Sequence, residues 1–66
     1  MLENEFVIKI NNGYFTGFDD DRVTYVLDNQ PRSYEVAIRY DMEEEAQEDA
    51  DVFGGQVVNV RDLELP

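Results

Sequence analysis

Three short alternating segments fill most of the first 27 residues with only turn chemistry between them, and that pattern leaves an antiparallel sheet as the natural fold. Residues 5–10, Glu-Phe-Val-Ile-Lys-Ile, place Phe6, Ile8 and Ile10 on one face of a strand rich in β-branched side chains. Asn11-Asn12-Gly13 follows, a turn sequence that accepts positive φ. Residues 14–18, Tyr-Phe-Thr-Gly-Phe, read as the returning strand of a hairpin. Asp19-Asp20-Asp21 interrupts the pattern, and residues 22–27 give a third strand with Val23, Tyr25 and Leu27 on one face. Asp28-Asn29-Gln30-Pro31 is a further turn. In residues 33–40, the alternation of Tyr34, Val36, Ile38 and Tyr40 favours another extended segment. Tyr34, Ala37 and Ile38 also fit the start of a helix.

The period changes after residue 41. Met42, Ala46, Ala50 and Phe53 fall within about 80° of one another at helical spacing, which predicts an amphipathic helix over residues 42–53. Asp41 reads as its N-cap with Glu44 three residues on, an Asp version of the capping box. Gly54-Gly55 reads as its C-terminal stop. Residues 56–60 predict a last strand, which residues 61–66 extend or leave to fray. The expected fold is one small α+β domain over residues 1–66, in the order β-β-β-(β)-α-β. It has two layers, an antiparallel sheet of three to five strands packed by one acidic amphipathic helix. Whether the last strand joins at an edge or in the middle stays open.

Composition narrows the function. A chain of 66 residues builds one small core. Sixteen acids against five bases give a net charge of −11, while 42% hydrophobic residues keep the chain out of the disordered class. With no Cys and no His, disulfides, thiolate chemistry, Cys-ligated zinc and the commonest general base and metal ligand are all missing. Lys9 is the sole lysine and Ser33 the sole serine, and no carboxylate pair stands apart as a catalytic dyad. The expectation is a protein that is not an enzyme and uses no cofactor. There is no basic leader and no apolar run near the roughly 20 residues of a membrane span, which reads as cytoplasmic. A surface this negative is repelled by anionic lipid and by nucleic acid. The expected partner is therefore a basic protein, met by a monomer or small homo-oligomer.

The charge is concentrated. Residues 41–51 hold seven acids and no base. On a rod of about 15 Å that is one negative charge per roughly 2 Å, close to the roughly 1.7 Å of duplex DNA. Glu44, Glu48 and Asp51 lie opposite the apolar stripe, and Glu45 and Asp49 flank it. Like charges three and four apart work against the helix. Two readings follow: a surface that imitates a phosphate backbone in the basic groove of another protein, or a solvated helix face. Asp19, Asp20 and Asp21 lack the EF-hand spacing of a calcium loop, so they read as a polar turn that extends the negative surface if it lies beside the helix. Gly54-Gly55 follows a helix rather than opening one and lacks the phosphate-loop lysine. Tyr14 and Phe15 are strand neighbours and point to opposite faces, and with Phe18, Tyr25, Tyr34 and Tyr40 they exceed what one small core needs. This predicts an aromatic sheet face for contact, unless the helix and cross-strand packing consume them. The alternative function is then a non-catalytic interaction or adaptor module that acts through that face.

Several short motifs resemble small, mostly uncharacterised proteins of phages and prophages of Gram-positive bacteria. They are the opening Phe-Val-Ile-Lys-Ile with Tyr14-Phe15-Thr16-Gly17, then Ala37-Ile-Arg-Tyr40, Glu45-Ala46 and Phe53-Gly-Gly-Gln-Val-Val58. In size, charge and compartment the chain is also similar to anti-CRISPR inhibitors, several of which imitate nucleic acid. The resemblance carries no catalytic residues across. It implies an anti-defence role in which a nucleic-acid-binding nuclease, or another host defence protein, is the partner. The helix here is more acidic than that group's, where Lys often alternates with Glu.

Overall fold

The computed structural model describes residues 5–64. Four strands, β1 (Phe6–Ile10), β2 (Gly13–Asp19), β3 (Arg22–Leu27) and β4 (Gln56–Asn59), form one antiparallel sheet in the order β3-β2-β1-β4. Helix α1 (Glu43–Phe53) precedes β4, and a short α2 (Val60–Glu64) follows it. The α+β class, with an antiparallel sheet and one acidic helix packed on it, is the one the periodicities predict. Both hairpins close where their turn residues stand. Ile10 faces Gly13 across Asn11-Asn12, with Asn11 left-handed at φ 52°. Asp19 faces Arg22 across Asp20-Asp21, with Asp20 at φ 56°. β4 occupies the edge beside β1, which settles the place of the last strand.

β1 and β2 pair only at Lys9↔Tyr14 and Ile10↔Gly13. Beyond that they diverge, and residues 38–40 fill the gap. The Ile38 N–H donates to the Phe15 carbonyl at 3.1 Å, while Tyr40 and Phe6 exchange two backbone bonds of 2.9 Å. The extended reading of residues 33–40 is thus corrected over its first half. Ser33–Val36 is a 3-10 helix, entered through left-handed Arg32 at φ 61° and closed by the Ala37 N–H on the Tyr34 carbonyl. In a 3-10 helix residues three apart share a side. Tyr34 and Ala37 are accordingly buried together while Val36 faces solvent. The apparent period of two at Tyr34 and Val36 was coincidence.

Each face of the sheet has its own core. On the α1 face, Ile8 and Phe15 meet Ala46 and Ala50, with Phe53, Val57 and Tyr40 against them. On the other, Val7 and Tyr14 meet Tyr34, Ala37 and Val60, with Leu63 of α2 packed alongside. The strand predicted to run through residue 60 ends at Asn59, whose side-chain oxygen accepts the Arg61 N–H at 2.9 Å and starts α2. Residues 65 and 66 of the predicted extension lie outside the described residues. A register shift between Phe15 and Gly17, with Gly17 at φ 141°, marks a bulge in β2. It brings Phe18 round to the side of Phe15, their rings 5.2 Å apart, where strict alternation would have parted them. No helix among the described residues is long and apolar enough to cross a membrane.

The Gly54-Gly55 stop uses its two glycines for different reasons. Gly54 is left-handed at φ 79°, and its N–H and that of Gly55 both bond the Ala50 carbonyl. Gly55 has no room for a side chain: a Cβ there would stand 2.5 Å from Ile8 Cγ2 and 2.8 Å from the Phe53 ring. Gly54→Ala should cost about 1 kcal/mol from backbone strain alone. Gly55→Ala should cost more, about 2–3 kcal/mol, by forcing α1 off β1. Urea denaturation of the two variants checks the ranking, and equal losses would show that the close approach does not matter.

Candidate functional site

Two alanines set how closely α1 sits. Ala46 and Ala50 are fully buried with Ile8 of β1 and Phe15 of β2, so the helix lies low on the sheet with its opposite side free. The helix begins one residue later than the capping-box reading requires. Its N-cap is extended Met42, with no side-chain cap bond, and the Ala46 N–H reaches the Met42 carbonyl at 3.2 Å. Asp41 is therefore not the cap. Tyr40 is still tied to Phe6 in the sheet, and the chain needs residues 41 and 42 to turn into the helix. Glu43, Glu44 and Glu45 occupy the first turn, where the helix dipole favours acids. No base stands in the last turn to match the opposite end.

The outward face carries Glu44, Glu48 and Asp51, all exposed, and Glu45 beside them. Three ion pairs exist among the described residues, and none involves α1. Lys9 pairs with Asp28 at 3.0 Å, Arg32 with Glu35 at 2.8 Å and Arg39 with Glu5 at 3.1 Å. Asp51 receives only the amide of Gln47, at 2.8 Å. Glu44–Glu48, Glu45–Glu48, Glu45–Asp49 and Glu48–Asp51 stand three or four apart as uncompensated like charges. At roughly 0.2–0.5 kcal/mol each they oppose the helix by about 1–2 kcal/mol.

Asp49 differs from its neighbours. It is half-buried and accepts the Tyr40 hydroxyl at 2.7 Å, so it anchors α1 to the segment between β1 and β2. Burial, then the bond to Asp49 and its charge, hold the Tyr40 phenol well above its ordinary value of 10.0. A folded value above the unfolded one means the stabilisation is complete below about pH 10 and lost as pH rises through the folded value. The difference in tyrosinate absorbance between the parent and Tyr40→Phe should place this ionisation far up the alkaline limb. Asp49→Asn should lower it toward 10. An unchanged titration in Asp49→Asn would remove Asp49 from this role.

Asp20 and Asp21 form the exposed β2–β3 turn and Asp19 ends β2 beside it, so the polar turn stands where their composition predicts. These acids follow directly on Phe18, whose ring lies 6.2 Å from Phe53 at the C-terminal end of α1. The tip thus continues the negative surface past that end of the helix. Among the described residues no three acids converge as metal ligands would. Tyr14 and Phe15 do point to opposite faces, but both are buried, at 7% and 1% exposure, and neither is a contact residue. Tyr14 packs edge-on to Tyr34 at 6.3 Å, and Phe15 stacks against Phe53 at 4.7 Å. The most exposed aromatic residues are Phe18 and Tyr25. Both are among the aromatic residues in excess of one small core, but the sequence does not say which of those are exposed, because the bulge at Gly17 has no signal beyond the glycine itself. Comparison with protein-family models, curated proteins and solved structures found no match for this chain.

Proposed function

We propose that the protein is a small acidic inhibitor of phage type. It binds the basic nucleic-acid-binding groove of a host defence protein in the host cytoplasm. In its most specific form it is an anti-CRISPR that keeps DNA from an RNA-guided nuclease. One observation carries the reading: the outward face of α1 holds Glu44, Glu48 and Asp51 exposed, with no ion pair on the helix among the described residues, while three of the five bases in the chain pair elsewhere. A face that opposes its own helix is explained by a partner whose Arg and Lys side chains neutralise it. Glu45 and the Asp19–Asp20–Asp21 tip widen the contact. Asp49 supports it from below through Tyr40. The role needs no catalytic group or cofactor, and it has no use for nucleic acid or lipid as a direct ligand.

The test is competition. Guide-loaded RNA-guided nucleases from Gram-positive hosts are incubated with labelled target duplex in a mobility-shift assay, and the protein is added at rising concentration. The expected result is displacement of DNA from at least one nuclease. It should weaken steeply between low and high salt, because the contact is charge on charge. Displacement that is indifferent to salt would sink the mimicry reading.

A further inference from the structure

We infer that the β3 side of the sheet, left open beyond α1, is a docking shelf for one basic amphipathic helix of a protein partner. The sheet is four strands wide; α1 packs chiefly over β1 and β4, and its Phe53 reaches Phe15 and Phe18 of β2, so β3 is the strand it leaves most open. The open area runs along β3 and Phe18 at the edge of the sheet, long enough for a helix laid parallel to the strand. Its floor is apolar and open: Phe18 is 54% exposed, Tyr25 46% and Leu27 44%, with half-buried Val23 between them. These side chains share the α1 face, because Val23 pairs with Phe18, Tyr25 with Phe15 and Leu27 with Gly13. Val23, Tyr25 and Leu27 are two residues apart along β3, a step of about 6.6 Å. A helix running along the strand presents a side chain every four residues at about 6 Å, so the two repeats match.

Charge selects the occupant. The tip Asp19, Asp20 and Asp21 closes one end of the shelf. The wall is the flank of α1 that faces β2. Its direction is set by Phe53, which touches Phe15 and Phe18, and by Asp49 one turn earlier, which meets Tyr40. Glu45 lies a further turn back on that flank. An apolar floor with acids along one wall and one end fits a helix with an apolar stripe and Lys or Arg beside it. A second copy of this chain would bring another −11 to the same rim, so charge disfavours self-association here. The apolar floor of the shelf is separate from Glu44, Glu48 and Asp51 on the outward face of α1, although its rim shares Glu45 and the Asp19–Asp21 tip with that surface, and the floor stands whether or not that face imitates nucleic acid.

The test titrates the labelled protein with an 18-residue Leu/Lys amphipathic peptide and follows amide shifts by NMR. A Lys/Ser peptide of the same charge without an apolar stripe is the comparison. The expected shifts fall on β2, β3 and Phe53, and the Leu/Lys peptide should bind at least tenfold more tightly than the Lys/Ser one. Leu27→Lys, and separately the pair Phe18→Thr and Tyr25→Thr, should each weaken the Leu/Lys peptide tenfold or more. Circular dichroism melts of these variants confirm that the fold persists, and Leu27→Lys alone decides the matter should the pair unfold. Equal affinity for the two peptides, shifts confined to the outward face of α1, or concentration-dependent shifts on β3 without peptide would each overturn the proposal. The last would make the shelf a contact between copies.

Discussion

Changing Glu44 and Glu48 to Gln and Asp51 to Asn should make the protein more stable and at the same time remove its inhibition. The stability gain follows from geometry. The three substitutions eliminate Glu44–Glu48, Glu45–Glu48 and Glu48–Asp51, three of the four like-charge pairs on α1. At roughly 0.2–0.5 kcal/mol each the gain is about 0.5–1.5 kcal/mol, which moves the Tm of a domain this size upward by about 3–10 °C. No compensating ion pair is lost, since none of the pairs among the described residues touches the helix. The binding loss follows from the proposal: three charge-assisted contacts gone should weaken inhibition on the order of a hundredfold and flatten its salt dependence. Removing three charges elsewhere, at Glu35, Glu43 and Asp62, should leave inhibition within about twofold, which separates a local face from bulk acidity. A triple variant as inhibitory as the parent would end the groove-mimic reading. One with an unchanged Tm would show that the like charges never opposed the helix. Opposite signs in one variant are what a functional surface held against stability produces.

The legible and the hidden parts of this fold divide by the range of the interactions that set them. Both hairpins, their turns at Asn11-Asn12 and Asp20-Asp21, and the limits of α1 to within a residue follow from local chemistry, namely alternation, positive-φ tolerance and a glycine stop. What alternation could not convey is the gap between β1 and β2. Residues 38–40 go there because the two strands diverge, and that divergence forces Ser33–Val36 into a 3-10 turn and delays α1 past Asp41. The acidic face was equally legible, since a charge run on a helix of known phase needs only the helix. Asp49 was not distinguishable from Glu45 by sequence, because its partner Tyr40 arrives through that same gap. The error at Tyr14 and Phe15 has a related cause. Pointing to opposite faces implies exposure only if one face is bare, and the 3-10 turn and α2 cover the second face. The bare area lies instead along β3, where alternation puts Val23, Tyr25 and Leu27 on one face but does not say that this face stays open.

Phe15→Ala should unfold much of the protein at room temperature, and Phe18→Ala, three residues away on the same strand, should not. Phe15 is 1% exposed and is the largest fully buried side chain, held between Phe18, Phe53 and the two helix alanines. Truncating a buried Phe costs about 3–5 kcal/mol, transfer and cavity together. A domain of this length has roughly 3–10 kcal/mol in total. Neighbours cannot close the hole cheaply, because Ala46 and Ala50 already bring α1 as near as its backbone allows and Gly55 blocks a further shift toward Ile8. Phe18 has over half its surface in solvent, so its loss should cost about 1 kcal/mol, mostly its edge contacts with Phe15 and Phe53. Urea denaturation with amide dispersion by NMR separates the two outcomes. The contrast also separates structure from recognition, since a loss of partner binding in Phe15→Ala would report only unfolding. The same loss in folded Phe18→Ala would locate a contact on the open side of the sheet. If Phe15→Ala proved as stable as Phe18→Ala, the α1 face would not be packed around Phe15, and the placement of α1 over β1 and β4 would fail with it.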